Sequence, residues 1–169
     1  MCSMSAAAAS AADPRFLSTA AFEISALFSA PIVSIMLRTG QENGASTHGM
    51  PPDGAVGDDY DDDALDVVAA TRPWLGRRAQ EDGVAWRVLR AGVARIILRG
   101  AGSEEDLIGV GARSDVAASM CVPIPGAEGQ GARGVINVAR TEPYAVFVPR
   151  DLEICASLAA LVAESLDAV

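Results

Sequence analysis

The sequence predicts an α+β domain, an antiparallel sheet with helices packed on it. Three observations lead there. Long apolar runs of helical period stand near both ends of the chain. Short apolar runs of strand length lie between them, in the order α-β-β-α-β-(α)-β-β-α. Most neighbouring strands are close enough to join as hairpins, which favours antiparallel pairing.

Residues 1–12 are small and polar and are expected to be disordered. The domain then spans 13–169. Asp13-Pro14 reads as an N-cap followed by proline at the first helical position. Phe16, Ala20, Ile24, Leu27 and Phe28 recur at helical spacing, so a helix is predicted over 14–29. Pro31 ends it. Ile32, Val33, Ile35, Met36 and Leu37 make a largely buried strand over 31–39.

Residues 41–63 are rich in Gly, Pro and Asp and predict a mobile acidic insertion in a hairpin. A strand resumes over 65–71, and 73–80 is a connecting loop. Residues 81–91 predict a short helix with Val84, Val88 and Leu89 inward, and Gly92 suits its C-cap. Residues 93–98 form a further strand. In 100–116, Ser103-Glu-Glu-Asp signals a helix start, and Gly109 and Gly111 keep any helix short.

The closing third is the most informative stretch. Ser119-Met-Cys-Val-Pro-Ile-Pro is followed by a glycine-rich turn and then Arg133-Gly-Val-Ile-Asn-Val-Ala-Arg. These give strands over 118–124 and 133–140. Pro149-Arg-Asp then opens an apolar helix to Val169. Leu152, Cys155, Leu158, Val162 and Val169 lie on one broad face, which Ile154, Leu161 and Leu166 widen.

Composition narrows the function classes. The 169 residues carry a net charge of −9, with 50% hydrophobic and 21% charged residues. That supplies a core and argues against global disorder. An acidic chain repels phosphate backbones and anionic lipid, so neither nucleic acid nor membrane is an expected partner. All 13 basic residues are Arg, which excludes lysine-based chemistry. Three cysteines without zinc-type spacing suit a reduced interior. The first residues lack the features of a secretory leader, and no run is long enough to span a bilayer, so a cytoplasmic location is expected.

Three segments resemble the GAF domain family: Leu65-Asp-Val-Val-Ala-Ala, the run from Glu81 to Gly92, and the stretch from Ser119 to Leu152. The resemblance covers about residues 16–169. It implies a central antiparallel sheet of five to six strands. The N- and C-terminal helices would pack on one face, and short helices and loops would cover the other. The chain departs from the family in its long 41–63 loop, in Val148 before Pro149, and after Leu98, where the usual acidic pattern is missing.

By the same resemblance, Trp86, Arg95, Ile97, Leu107, Arg113, Ser119 and Cys121 flank a ligand pocket. An inward Arg could fork onto a carboxylate or phosphate. Pairing with surface acids is favoured for Arg95, and both readings stand for Arg113. No cofactor is expected. A haem-binding relative needs an axial histidine, whereas His48, the single histidine, falls in the Gly/Pro/Asp insertion. A bilin needs a reactive cysteine, but Cys121 and Cys155 both read as core residues. Cyclic nucleotide is compatible but unsupported, because Val138 and Leu152 replace the further residues such sites use. Asn137, Phe147 and Asp151 read as scaffold: a hydrogen bond near the hairpin, a core ring and a helix start. The Asp58–Asp63 run lacks the glycine and distal glutamate of a calcium loop and reads as a solvated acidic loop.

The resemblance implies a regulatory sensor in bacterial signal transduction. It would bind a small molecule of unknown identity and signal through its terminal helices, as a homodimer through helices 14–29 and 149–169, to an output domain or partner protein. The alternative is a ligand-free dimerisation or docking module of the same fold. An enzyme is not expected, because the sequence offers neither a nucleophile with its base nor a metal cluster.

Overall fold

A computed structural model of the chain describes residues 14–39, 63–72, 78–79, 81, 83–98 and 115–168. The elements follow the predicted order: α1 Pro14–Phe28, β1 Ile32–Thr39, β2 Ala64–Ala70, α2 Val84–Ala91, β3 Arg95–Leu98, β4 Ala118–Ile124, β5 Gly134–Arg140 and α3 Pro149–Asp167. Five strands form one sheet in the order β2-β1-β5-β4-β3, and every neighbouring pair is antiparallel. The centre is β5, so the first and last thirds of the chain meet there. The expected disorder of 1–12, the mobility of 41–63 and the short helix after Ser103 lie outside the described residues.

Alternation divides the sheet into two faces. Val33, Ile35, Met120, Val122, Ile124, Ile136 and Val138 point to one face and form the main core with α1 and α3. Leu65, Ile97, Cys121 and Val135 point to the other and pack with Val84, Trp86, Val88 and Leu89 of α2. Gly92 closes α2 in the left-handed region at φ 63, where its N–H meets the Val88 carbonyl. The helix starts later than predicted because Gly83 is its N-cap, in extended backbone.

The α1 stripe is a correction. The residues buried in α1 are Leu17, Ala21, Ile24 and Phe28, whereas Phe16 and Leu27 are exposed and Ala20 is half-buried. Both sets have helical spacing. The helix carries more apolar surface than the sheet can cover, and Leu17 and Ala21 are the ones that face it. In α3, Cys155, Val162 and Leu166 are buried as predicted, Leu152 and Leu158 are half-buried, and Ile154 and Leu161 are exposed. Val169 lies outside the described residues.

Asp151 accepts a hydrogen bond from the Val148 N–H at 2.9 Å, so the acid supplies the cap that Val148 cannot. Phe147 is buried, with its ring edge-on to Phe28 at 6.5 Å. Arg140, the last residue of β5, ties these parts together. Its Nε and Nη2 donate to the Phe28 carbonyl, Nη1 donates to the Val146 carbonyl, and the guanidinium lies 4.4 Å from the Phe147 ring centroid. No basic residue stands in the last turn of α1, so Arg140 brings the cation that its C-terminal carbonyl favours.

Candidate functional site

The α2-side face of the sheet can be read rung by rung from the strand register. One rung runs Ala70–Ser34–Asn137–Cys121–Arg95 across all five strands. The next runs Ile32–Ala139–Ser119–Ile97. On the other side, Met36, Val135 and Pro123 form a bulkier rung. Small side chains at Ala70, Ser34, Asn137, Cys121, Ala139 and Ser119 therefore lie together on this face, with the bulkier Met36, Val135 and Pro123 along one side.

This face carries unsatisfied hydrogen-bonding groups. Ser34 and Ser119 are each 1% exposed, and neither Oγ has a hydrogen-bond partner. Trp86, packed in the cluster with Ile97, Cys121 and Val135, also leaves its buried Nε1 unpartnered. Leaving a buried polar group unpaired costs about 1–3 kcal/mol, so native proteins normally satisfy it with protein, water or ligand. Asn137, in the central strand between buried Ser34 and buried Cys121, is only half-buried. Water therefore reaches part of Asn137, while Ser34, Ser119 and Cys121 around it are covered. Asn137 stands mid-strand rather than near the hairpin, which corrects the expectation from sequence.

Of the seven predicted pocket residues, Trp86, Ile97, Ser119 and Cys121 are buried on this face. Arg95 ends the same side of edge strand β3, exposed and already engaged. Leu107, Arg113 and His48 lie outside the described residues. Sequence reasoning missed Ser34. The available signal was a hydroxyl set among Ile32, Val33, Ile35 and Met36 in a buried strand.

The thiols are poorly placed for chemistry. Burial, with a smaller contribution from Cys155, pushes the Cys121 thiol well above the ordinary range. Burial alone pushes Cys155 up from 9.0 to about 12. A nucleophilic cysteine needs the opposite shift. Among the described residues no group of three or more His, Cys, Asp or Glu side chains could hold a metal ion.

The raised pKa values also set a pH dependence. The unfolded thiol ionises near its ordinary value while the folded one stays protonated. Between pH 9 and about 12 the unfolded state therefore binds fewer protons, and stability falls as pH rises. For Cys155 the expected slope approaches about 1.4 kcal/mol per pH unit. Urea unfolding of wild type and Cys155→Ala at pH 8, 9 and 10 should show a shallower loss in the variant. In a Cys2→Ser background, a thiol reagent should label Cys121 and Cys155 only on unfolding.

A second feature lies on the opposite side of the molecule. Phe16, Ala20, Glu23, Ile24 and Leu27 of α1 face Leu158, Leu161 and Val162 of α3 across an apolar groove of about 310 Å³. Leu27 is 60% exposed and Leu161 56%.

The family model for the GAF domain matches residues 14–166. The chain belongs to the GAF domain family. Solved structures share its fold at low identity. The GAF domain of a phosphoenolpyruvate-protein phosphotransferase from Acinetobacter has a TM-score of 0.64 at 13% identity, over 92% of this chain and 82% of the other. A free methionine-R-sulfoxide reductase from Neisseria meningitidis, solved with its substrate, has 0.66 at 15%, over 92% and 78%. The GAF domain of a two-component sensor histidine kinase from Bacillus halodurans has 0.60 at 12%, over 94% and 96%. No curated protein sequence matches the chain. At these identities the structural likeness shows the GAF fold and no more. Among the described residues, no helix of this GAF domain is long and apolar enough to cross a membrane.

Proposed function

We propose that this GAF domain is a regulatory sensor, which binds a small molecule over Ser34, Asn137 and Ser119 and signals through α1 and α3. The observation that carries this reading is the pair of buried, unpartnered hydroxyls beside a solvent-reaching Asn137. Buried polar groups left without partners on an otherwise apolar face are groups that a ligand could satisfy. A thermal-shift screen against metabolites tests it. Hits should raise the melting temperature, and Ser119→Ala should reduce their effect.

The route to the helices is short. Asn137 and Arg140 lie on the same strand, and Arg140 holds both the end of α1 and the segment leading into α3. A ligand that bound two arrangements of this strand unequally would bias the helices. The two buried thiols support a non-enzymatic role, and no cofactor is part of the proposal.

The apolar groove favours a homodimer through α1 and α3, compatible with sensing and also with the alternative of a ligand-free docking module. Light scattering at high micromolar concentration should give a dimer. Placing charge in the groove with Leu27→Glu and Leu161→Glu should shift the equilibrium to monomer by tenfold or more in Kd, with little change in fold because both side chains are already exposed. A monomer in wild type would remove the dimer from the account.

A further inference from the structure

Granted the dimer reading above, the groove between α1 and α3 holds a group that a dimer does not need. Every residue lining it is apolar except Glu23. Glu23 stands between Ala20 and Leu27 on α1, and Leu158 and Leu161 line the wall opposite.

The spacing indicates what fits the groove. On α1, Phe16, Ala20, Glu23 and Leu27 follow one another at intervals of four, three and four. On α3, Ile154, Leu158 and Leu161 do so at four and three. This is the seven-residue repeat along which helices of separate chains interlock. Both walls come from one chain, so a two-fold axis sets each copy's ridge against the other's groove. The helices have 15 and 19 residues. Their outward halves offer roughly 17, close to the 20–30 a side of a stable interface. A second copy is the occupant that uses all of this surface.

Glu23 occupies a core position of the repeat. A polar residue there fixes register at a cost in stability. This one also carries charge, and among the described residues no cation lines the groove. The charged residues of α3 are Arg150, Asp151, Glu153, Glu164 and Asp167, and all lie outside the lining. On α1 the other is Arg15, about two turns away and already engaged. A second copy brings the same lining and a second carboxylate. Covering an unpaired carboxylate with apolar side chains is strongly unfavourable, whereas its protonated form is tolerated. We infer that Glu23 makes self-association pH-sensitive: two copies close over the groove as their Glu23 carboxylates take up protons, and the dimer weakens as the pH rises. The helices that carry the signal then respond to protons as well as to a ligand.

Sedimentation equilibrium of the whole chain from pH 5.5 to 7.5 tests this. The wild-type Kd should rise tenfold or more over that range, because each carboxylate contributes up to about tenfold per pH unit. Glu23→Gln keeps the shape and removes the charge. Its Kd should stay within threefold throughout and be tenfold or more tighter than wild type at pH 7.5. Glu153→Gln, which alters an exposed acid outside the groove, should keep the wild-type slope. That control separates Glu23 from general repulsion between acidic chains.

A flat wild-type profile, or Glu23→Gln with the wild-type slope, would overturn the inference and leave the dimer standing. So would a dimer that weakens as the pH falls, the sign expected if a cation of the second copy paired with Glu23. Wild type and Glu23→Gln both monomeric at every pH would remove the dimer reading itself, and the inference with it.

Discussion

Gly134→Ala should cost this domain about 3 kcal/mol or more, a loss large enough to threaten folding. Gly134 opens β5 and pairs with Leu37 of β1. A Cβ built there would overlap the Met36 carbonyl oxygen and lie 2.8 Å from Leu37 Cδ2. The carbonyl belongs to backbone and cannot rotate away as a side chain could. Relief requires β1 and β5 to part at the edge of the sheet's central pairing. Gly131, in the turn just before, has nothing within 4 Å of the same position. Gly131→Ala should therefore stay within about 0.5 kcal/mol of wild type. Urea unfolding of both variants measures the contrast. Equal stabilities would mean that the β1–β5 approach is not as close as described.

Arg140→Ala should cost about 2–4 kcal/mol and lower the melting temperature by roughly 5–15 °C. Hydrogen bonds from a charged donor are stronger than neutral ones, and three of them end on backbone carbonyls here. Removing the guanidinium strands the Phe28 and Val146 carbonyls and takes away the cation over the Phe147 ring. Arg140→Lys keeps the charge but cannot hold both carbonyls in a planar fork, so it should recover less than half of the loss. The same variant bears on signalling. If Arg140 couples β5 to both helices, Arg140→Lys should bind ligand nearly normally while transmitting less change to α1 and α3. Differential scanning calorimetry gives the first result, and hydrogen exchange in the helices gives the second.

The element order was legible because it rests on local pattern. The Ser119–Ile124 and Arg133–Arg140 strands, the glycine-rich turn between them and the Pro149 helix start each declare themselves within a few residues. Gly92 at the end of α2 and Phe147 in the core also follow from local chemistry. What could not be read depends on distant partners. Phe16 and Leu17 are both apolar, and only docking on the sheet decides which is buried. Arg140 meets Phe28 across 112 positions in sequence, so nothing adjacent to either residue announces the contact.

The candidate site shows the same division. Trp86, Ile97, Ser119 and Cys121 could be named because a family resemblance places them. Ser34 joins them only through register, opposite Asn137, with an irregularity at Ile35/Met36 that shifts the pairing of β1 with β2. Alternation along a strand fixes which residues share a face. It does not say which face meets α2 and which meets α1 and α3. That choice turns Ser34 from an ordinary strand residue into part of the candidate site.

The central claim is that a ligand sits on the α2-side face and is felt in the terminal helices. Backbone-amide NMR, with the strongest small-molecule hit titrated into the domain, tests this most directly. The account predicts the first and largest shifts at Ser34, Asn137 and Ser119, with smaller shifts at Phe28 and along α3. Shifts confined to Ala20, Glu23, Leu158 and Leu161, with the sheet unmoved, would place the ligand in the helix groove and contradict it.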